Sequence, residues 1–183
     1  MSKQGVKDRI VIAASILFYH KGYNQTGINS IIEEANVSKD SLYRYFRSKE
    51  AIAVAYLEAR HLTWMGNLEA FVTVYDTNTQ KVMGVFDYLN KWLTEVAFRG
   101  CGFQNIIGDL PKDHKGITDQ VAEHKNALRT WVYTLLKNDK RADAGAMADE
   151  IMVLIEGAII LSQIQKDPWP IQVAKNNCVR LLS

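Results

Sequence analysis

Residues 26–50 read TGINSIIEEANVSKDSLYRYFRSKE, and this stretch decides the fold. Ile28, Ile31, Ile32 and Ala35 recur at helical spacing and mark a short helix. Asn36-Val37-Ser38 follows as a three-residue turn, with Ser38 of the type that caps a helix N-terminus. A second short helix has only Leu42 and Phe46 as clear apolar anchors. Its other positions include Lys39, Ser41, Tyr43, Arg44 and Tyr45. Two short helices, a tight turn and a polar, basic, aromatic second helix make a helix-turn-helix, the second helix of which enters a DNA major groove.

Upstream, Val6, Ile10, Ala13, Ala14, Leu17 and Phe18 recur at helical spacing and predict an amphipathic helix over about 4–21. Gly22 suits the end of that helix, and Thr26 or Gly27 opens the next one. Ser48 caps a fourth helix, whose dipole Glu50 complements in the first turn. Downstream, 50–75 has no proline and reads as one long helix, with Gly66 as a possible bend. The Asp76–Thr79 segment is a polar break that caps a further helix over about 80–99. Arg99–Gly102 and Leu110–Gly116 read as interruptions. Helical stretches over about 117–138, 142–166 and 171–182 complete the chain, the last after Asp167-Pro168-Trp169-Pro170. No segment alternates with turn signals between, so no sheet is expected. The expected fold is all-α: a three-helix head over 1–49 and a larger helical effector-binding and dimerisation domain over 50–183.

Composition narrows the function. The hydrophobic share of 48% supports a packed core. No apolar run approaches the roughly 18–20 residues of a membrane span. The longest, 151–164, is broken by Glu156 and Gln163 and reads as a helix buried on several sides, with Gly157-Ala158 permitting close helix approach. The start of the chain, basic then apolar, imitates a signal peptide only weakly, and a cytoplasmic protein is expected. Cys101 and Cys178 are too few and too far apart for a disulfide scaffold or a metal motif, and Cys101 is expected to be a buried, inert thiol. Asp109, Asp113 and His114 read as a solvated loop rather than a metal site. The net charge of +2 is unevenly spread: within 36–49, Lys39, Arg44, Arg47 and Lys49 face Asp40 alone. A basic cluster on a nearly neutral body suits a polyanion contact at one end.

The chemistry of that contact follows from side-chain placement. Lys39, Ser41, Tyr43 and Arg44 lie on the turns farthest from Leu42 and Phe46, so they face the groove. Tyr45 and Lys49 are placed to reach phosphate oxygens, and Lys49 sits at a helix N-terminus where an anion is favoured.

The stretch GYNQTGINSIIEEANVSKDSLYRYFRSKEAI resembles the N-terminal DNA-binding domain of the tetracycline-repressor (TetR) family. Gly22-Tyr23, Thr26, Ile28, Ile31, Val37-Ser38-Lys39, Leu42-Tyr43, Tyr45-Phe46 and Ser48-Lys49-Glu50 carry the likeness. It implies a three-helix DNA head, a helical ligand-binding and dimerisation body, and ligand-controlled release from a palindromic operator. By position it implies phosphate contacts from Tyr43, Tyr45 and Lys49, with Lys39, Ser41 and Arg44 near bases. Two positions depart from the family pattern. Asp40 replaces a small residue, often Gly, and could repel phosphate or accept from a cytosine amino group. Gly27 replaces a frequent Ser or Thr and removes one hydroxyl contact.

In the body, Arg99-Gly-Cys-Gly-Phe-Gln-Asn105 is similar to a subgroup of that family with a Gly-Cys-x-x-x-Asn element. Trp64, Phe86, Phe98 and Met152 are bulky enough to line a pocket, as are Trp92, Phe103 and Trp131. Asn105 either meets a ligand or cross-links helices. The ligand-binding candidates are therefore Trp92, Phe103, Asn105 and Trp131. The 151–161 segment together with 117–138 is the expected intersubunit four-helix bundle.

The expected protein is a homodimeric repressor, not an enzyme. It would bind a double-stranded DNA operator and be released by a small, largely apolar effector, with no cofactor, metal or membrane partner. The rival is a constitutive or architectural DNA-binding dimer without an effector. An enzyme built on Cys101 or Asp113-His114 has neither nucleophile–base spacing nor a Gly-rich phosphate loop to support it.

Overall fold

The computed structural model describes residues 5–110 and 114–183. Among the described residues the chain is all-α, with no strand. The helices are α1 (Val6–Lys21), α2 (Ile28–Ala35), α3 (Lys39–Tyr45), α4 (Lys49–Val72), α5 (Asn78–Glu95), α6 (Gly102–Asp109), α7 (Lys115–Asn138), α8 (Ala144–Gln165) and α9 (Trp169–Leu182). They divide into two compact units, Met1–Thr63 with Gly102–His124, and Trp64–Cys101 with Lys125–Ser183. The division falls inside α4 and inside α7. No described helix is long and apolar enough to cross a membrane.

In the first unit, α1 packs against α2, α3 and α6. Ile10, Ala14, Leu17 and Phe18 of α1 are buried, as are Ile31 and Ala35 of α2 and Leu42 of α3. The turns are chemically enforced. Gly22 takes φ +93°, which side chains resist, while its N–H donates to Phe18 O at 3.2 Å and closes α1. Asn36 ends α2 in the left-handed region at φ 49°, a conformation that asparagine tolerates better than most residues. Ser38 then caps α3 through Ser41 N–H donating to its Oγ at 3.1 Å.

The second unit is built on α5, α8 and α9, each packed on the other two. Thr77 and Gln80 form a reciprocal capping box at the start of α5. Gly84, inside α5, is required by packing, because a Cβ there would collide with the Tyr75 ring. That ring is held by its hydroxyl donating to Asp87 Oδ2 at 3.0 Å.

Three features depart from expectation. The 102–109 segment is a helix, α6, although its glycine start reads as a break. α9 begins at Trp169, with Pro170 inside the first turn, where the missing N–H costs nothing. α8 is not buried on several sides: Val153 (73% exposed), Ile160, Leu161 and Ile164 (64%) leave one stripe in solvent. Gly157 lies on that stripe, and no heavy atom comes within 4 Å of a Cβ placed there. As for the suspected bend at Gly66, α4 runs unbroken through it.

Candidate nucleic-acid interface

α3 has seven residues, so its position is imposed by what it buries. Leu42 is fully buried and Phe46 nearly so, while Lys39, Asp40, Arg44 and Arg47 are exposed and Ser41 is half-buried. Tyr43 and Tyr45 remain 44% and 46% exposed, large for aromatic residues flanking a core anchor. The outward side of α3 thus joins two cations, with Arg47 just beyond the helix as a third, to two phenols that can bond phosphate oxygens. Asp40 lies in the first turn, where its charge favours the helix dipole. Gly27 is exposed and opens α2 without a side-chain cap.

A second layer holds this face in place. Lys49 Nζ donates to Tyr23 O at 3.0 Å and to Thr26 O at 3.2 Å, and lies 4.2 Å from the Tyr23 ring centroid. Burial lowers the Lys49 pKa, and the Asp109 charge pulls it partly back. Two of the three ammonium protons are therefore committed to the α1–α2 loop, leaving one for a phosphate. Thr26 is only 1% exposed, and its hydroxyl donates to Gly22 O at 2.7 Å, so it serves the same loop. Arg9, which the sequence did not single out, donates from Nη1 to Asn36 O at 2.9 Å and Ala35 O at 3.3 Å. These are carbonyls at the negative end of α2, where a cation is favoured, and Arg9 thereby ties α1 to the turn.

The profile of the bacterial regulatory proteins of the tetR family matches residues 10–56, the span from the α1 core to α4. Over most of its length the chain is similar to the HTH-type transcriptional regulator YxaF of Bacillus subtilis. The two are 39% identical over 179 residues, 93% of this chain and 91% of YxaF. The chain belongs to the TetR family. NemR of Escherichia coli, a transcriptional repressor, is 24% identical over 132 residues, 69% of this chain and 66% of NemR. The reduced form of NemR shares the fold, with a TM-score of 0.82 at 18% identity over 97% of each chain. So does SCO4454 from Streptomyces coelicolor, with a TM-score of 0.86 at 24% identity over 97% of this chain and 88% of that one. This regulator is therefore a DNA-binding transcription factor with a helix-turn-helix formed by α2 and α3, and the relatives it matches are regulators, not enzymes.

Within the regulator, α6 and the start of α7 are pinned to the α1–α4 elements. Asn24 N–H donates to Asp109 Oδ2 at 2.7 Å, and Asn24 Nδ2 donates to Asp109 O. Glu50 Oε1 accepts from Gly116 N–H at 3.0 Å, capping α7, and Glu50 Oε2 lies 3.4 Å from His114 Nδ1. Asp109 and His114 are thus occupied as structural partners, while Asp113 lies outside the described residues. Among the ligand candidates, Phe103 stacks on His124 with centroids 3.7 Å apart and planes at 6°. His124 in turn is hydrogen-bonded to His61, Nδ1 to Nδ1, at 3.0 Å. Asn105 is half-buried on the same short helix. Trp92 meets Trp64 edge-on at 5.9 Å in the other unit, where Trp131 is also half-buried.

Cys101 is buried, as expected, but Lys125 Nζ lies 3.7 Å from its Sγ and 2.8 Å from Glu156 Oε1. Burial opposes the charge on Lys125, yet Cys101 and Glu156 outweigh it and raise its pKa. Lys125 is 24 residues from Cys101 in the chain, so only the fold brings the two together.

The geometry gives Lys49 a structural duty that can be measured without DNA. Lys49→Ala removes the ammonium that bridges the Tyr23 and Thr26 carbonyls and should cost about 1–3 kcal/mol in urea denaturation. Unchanged stability would mean that the ammonium does not hold the loop.

Proposed function

We infer that the protein is a homodimeric repressor that grips a palindromic operator through α3 and lets go when a small, largely apolar effector occupies its body. The observation that carries the reading is the exposed face of α3, where Tyr43, Tyr45, Lys39 and Arg44 surround a helix held by Leu42. Tyr43, Tyr45 and the remaining proton of Lys49 contact phosphates. Lys39, Ser41 and Arg44 approach base edges, with Asp40 selecting against some sequences or accepting from cytosine. Residues 1–49 form the DNA-binding domain, and 50–183 the effector-binding and dimerisation domain.

Two-fold symmetry is what a palindrome demands of a helix-turn-helix protein. The stripe Val153, Gly157, Ile160, Leu161 and Ile164 supports α8 as the seam between copies, with Gly157 allowing close helix approach. α7 exposes no large apolar side chain, whereas α9 exposes Val173 and Val179. The four-helix bundle therefore pairs α8 with α9 rather than with 117–138. A groove of about 640 Å³ between them, lined by Val153, Leu154, Asn177, Arg180 and Leu181, offers the partner's side chains a seat.

Effector binding in the body, at Phe103 and Asn105 of the first unit or at Trp92 and Trp131 of the second, would favour a state in which the two α3 helices no longer match successive major grooves about 34–36 Å apart. The buried imidazole of His124, stacked on Phe103, supports a ligand with at least one hydrogen-bonding group.

Operator binding should weaken steeply with salt, and Arg44→Ala or Tyr43→Ala should reduce affinity strongly while the protein stays folded. Each cationic phosphate contact removed should lower the log–log salt slope by about 0.9, whereas loss of the neutral Tyr43 should not, and a flat response in the wild type would rule out the phosphate-gripping reading. An effector that raises the melting temperature saturably should lower operator affinity, and reciprocally operator should weaken effector binding by the same factor. If every stabilising ligand leaves operator affinity unchanged, the protein is a constitutive DNA binder. In sedimentation the wild type should run as twice its 20.7 kDa chain mass, and Val153→Asp should run as a monomer with unchanged helicity. A dimeric Val153→Asp would move the seam away from α8.

A further inference from the structure

We propose that the cleft between α5 and the start of α9 binds a small organic ammonium ion carried on an apolar or aromatic body. The cleft has a volume of about 250 Å³, just below the roughly 300–1,000 Å³ of drug-sized sites, so it suits a fragment-sized ligand. Phe86 and Ile171, both buried, form its floor, and Pro168 and Trp169 form its rim. Trp169 is 49% exposed, with its backbone fixed by its N–H donating to Asp167 Oδ1 at 2.9 Å.

The charges in the cleft are unequal. Asp87 is matched on both oxygens: Lys175 Nζ donates to Oδ1 at 2.6 Å and Tyr75 OH to Oδ2 at 3.0 Å. Asp167 has no cationic partner among the described residues, and its neighbour Lys166 donates instead to Phe98 O at 3.0 Å. Asp167 Oδ2 is therefore an unmatched carboxylate oxygen at the edge of an indole. Gln172 gives its Nε2 to Asn176, which leaves Oε1 free to accept, and the exposed Asn90 amide lines the opposite wall. Three acceptors and one aromatic face answer the three protons and the charge of a primary ammonium.

An anion has no corresponding welcome, although the cleft adjoins a helix N-terminus. The Trp169 N–H is taken by Asp167, Pro170 has none, and the N–H groups of Ile171 and Gln172 both donate to Pro168 O, at 3.0 and 3.4 Å. No backbone donor is left facing outward there. Gln172 and Lys175 also lie on the opposite side of α9 from Asn177 and Leu181, so the cleft does not overlap the groove proposed for the partner copy.

The probe is 2-phenylethylammonium, titrated into the full-length protein while the Trp169 indole N–H is followed by nitrogen-correlated NMR. Saturable shifts with a dissociation constant on the order of 1 mM are expected for a ligand of this size. The uncharged 2-phenylethanol and the anionic 3-phenylpropanoate, with the same ring, should each bind at least about five-fold more weakly, as loss of a cation–π contact and an ion pair requires. Asp167→Asn keeps the Oδ1 cap and removes the charge, so it should weaken the ammonium at least about five-fold and leave the alcohol unchanged. Trp169→Leu, read out through the Asn90 side-chain amide, should weaken it by a similar factor and guards against a folding defect in the first variant. The absence of saturable shifts, equal affinity for the alcohol, or unchanged ammonium binding in both variants would overturn the proposal.

Discussion

A helix of seven residues is not stable by itself in water, so α3 exists only because Leu42 and Phe46 are removed from solvent against α1 and α2. Everything the regulator does to DNA depends on that burial. It fixes which way Lys39, Tyr43 and Arg44 point, and it does so with two apolar residues four positions apart on one side of the helix. The remaining positions are free to be basic or aromatic. The polar contacts around the core then limit how α3 can tilt: Arg9 grips the carbonyl end of α2, Ser38 starts α3, and Lys49 draws the loop at Tyr23 and Thr26 toward the head of α4. Side chains of the first unit thus divide between those left exposed on α3 and those that hold that helix in place.

The same unit has a second set of ties. Asn24 with Asp109, and Glu50 with Gly116 and His114, join the helix-turn-helix elements to α6 and to the first turn of α7. Glu50 neighbours Lys49 in the chain, so a residue that secures α7 stands beside one that secures the α1–α2 loop. A shift of α6 or α7 would be felt at both, because packed interiors and satisfied polar pairs have few intermediate arrangements.

Much of the head was legible in the sequence. The turn at Asn36, the caps at Ser38 and Ser48 and the anchors at Leu42 and Phe46 are local features, each set by residues within four positions of one another. What escaped notice is long-range. Arg9 lies 26 and 27 residues from the carbonyls it caps, and Lys125 lies 24 residues from Cys101. Nor does the sequence separate an apolar helix buried all round from one with an open stripe, since Val153 and Ile155 are chemically alike and only packing distinguishes their fates. α6 was missed because an eight-residue helix that starts with glycine gives too little periodicity to recognise. Its glycine is there for packing: a Cβ at Gly102 would lie 2.5 Å from Arg60 Nε and 2.6 Å from the Tyr56 hydroxyl.

The open stripe on α8 has a consequence of dosage. Bare valine, leucine and isoleucine side chains along a helix make a lone chain adhesive and open to quality control, so the proposed pairing would also shelter each newly made copy. If chains must pair before they can occupy an operator, occupancy at low expression rises with the square of chain number. A cell that halves its synthesis of such a regulator would lose far more than half of its control, and the genes beneath it would respond to protein level with a threshold rather than in proportion.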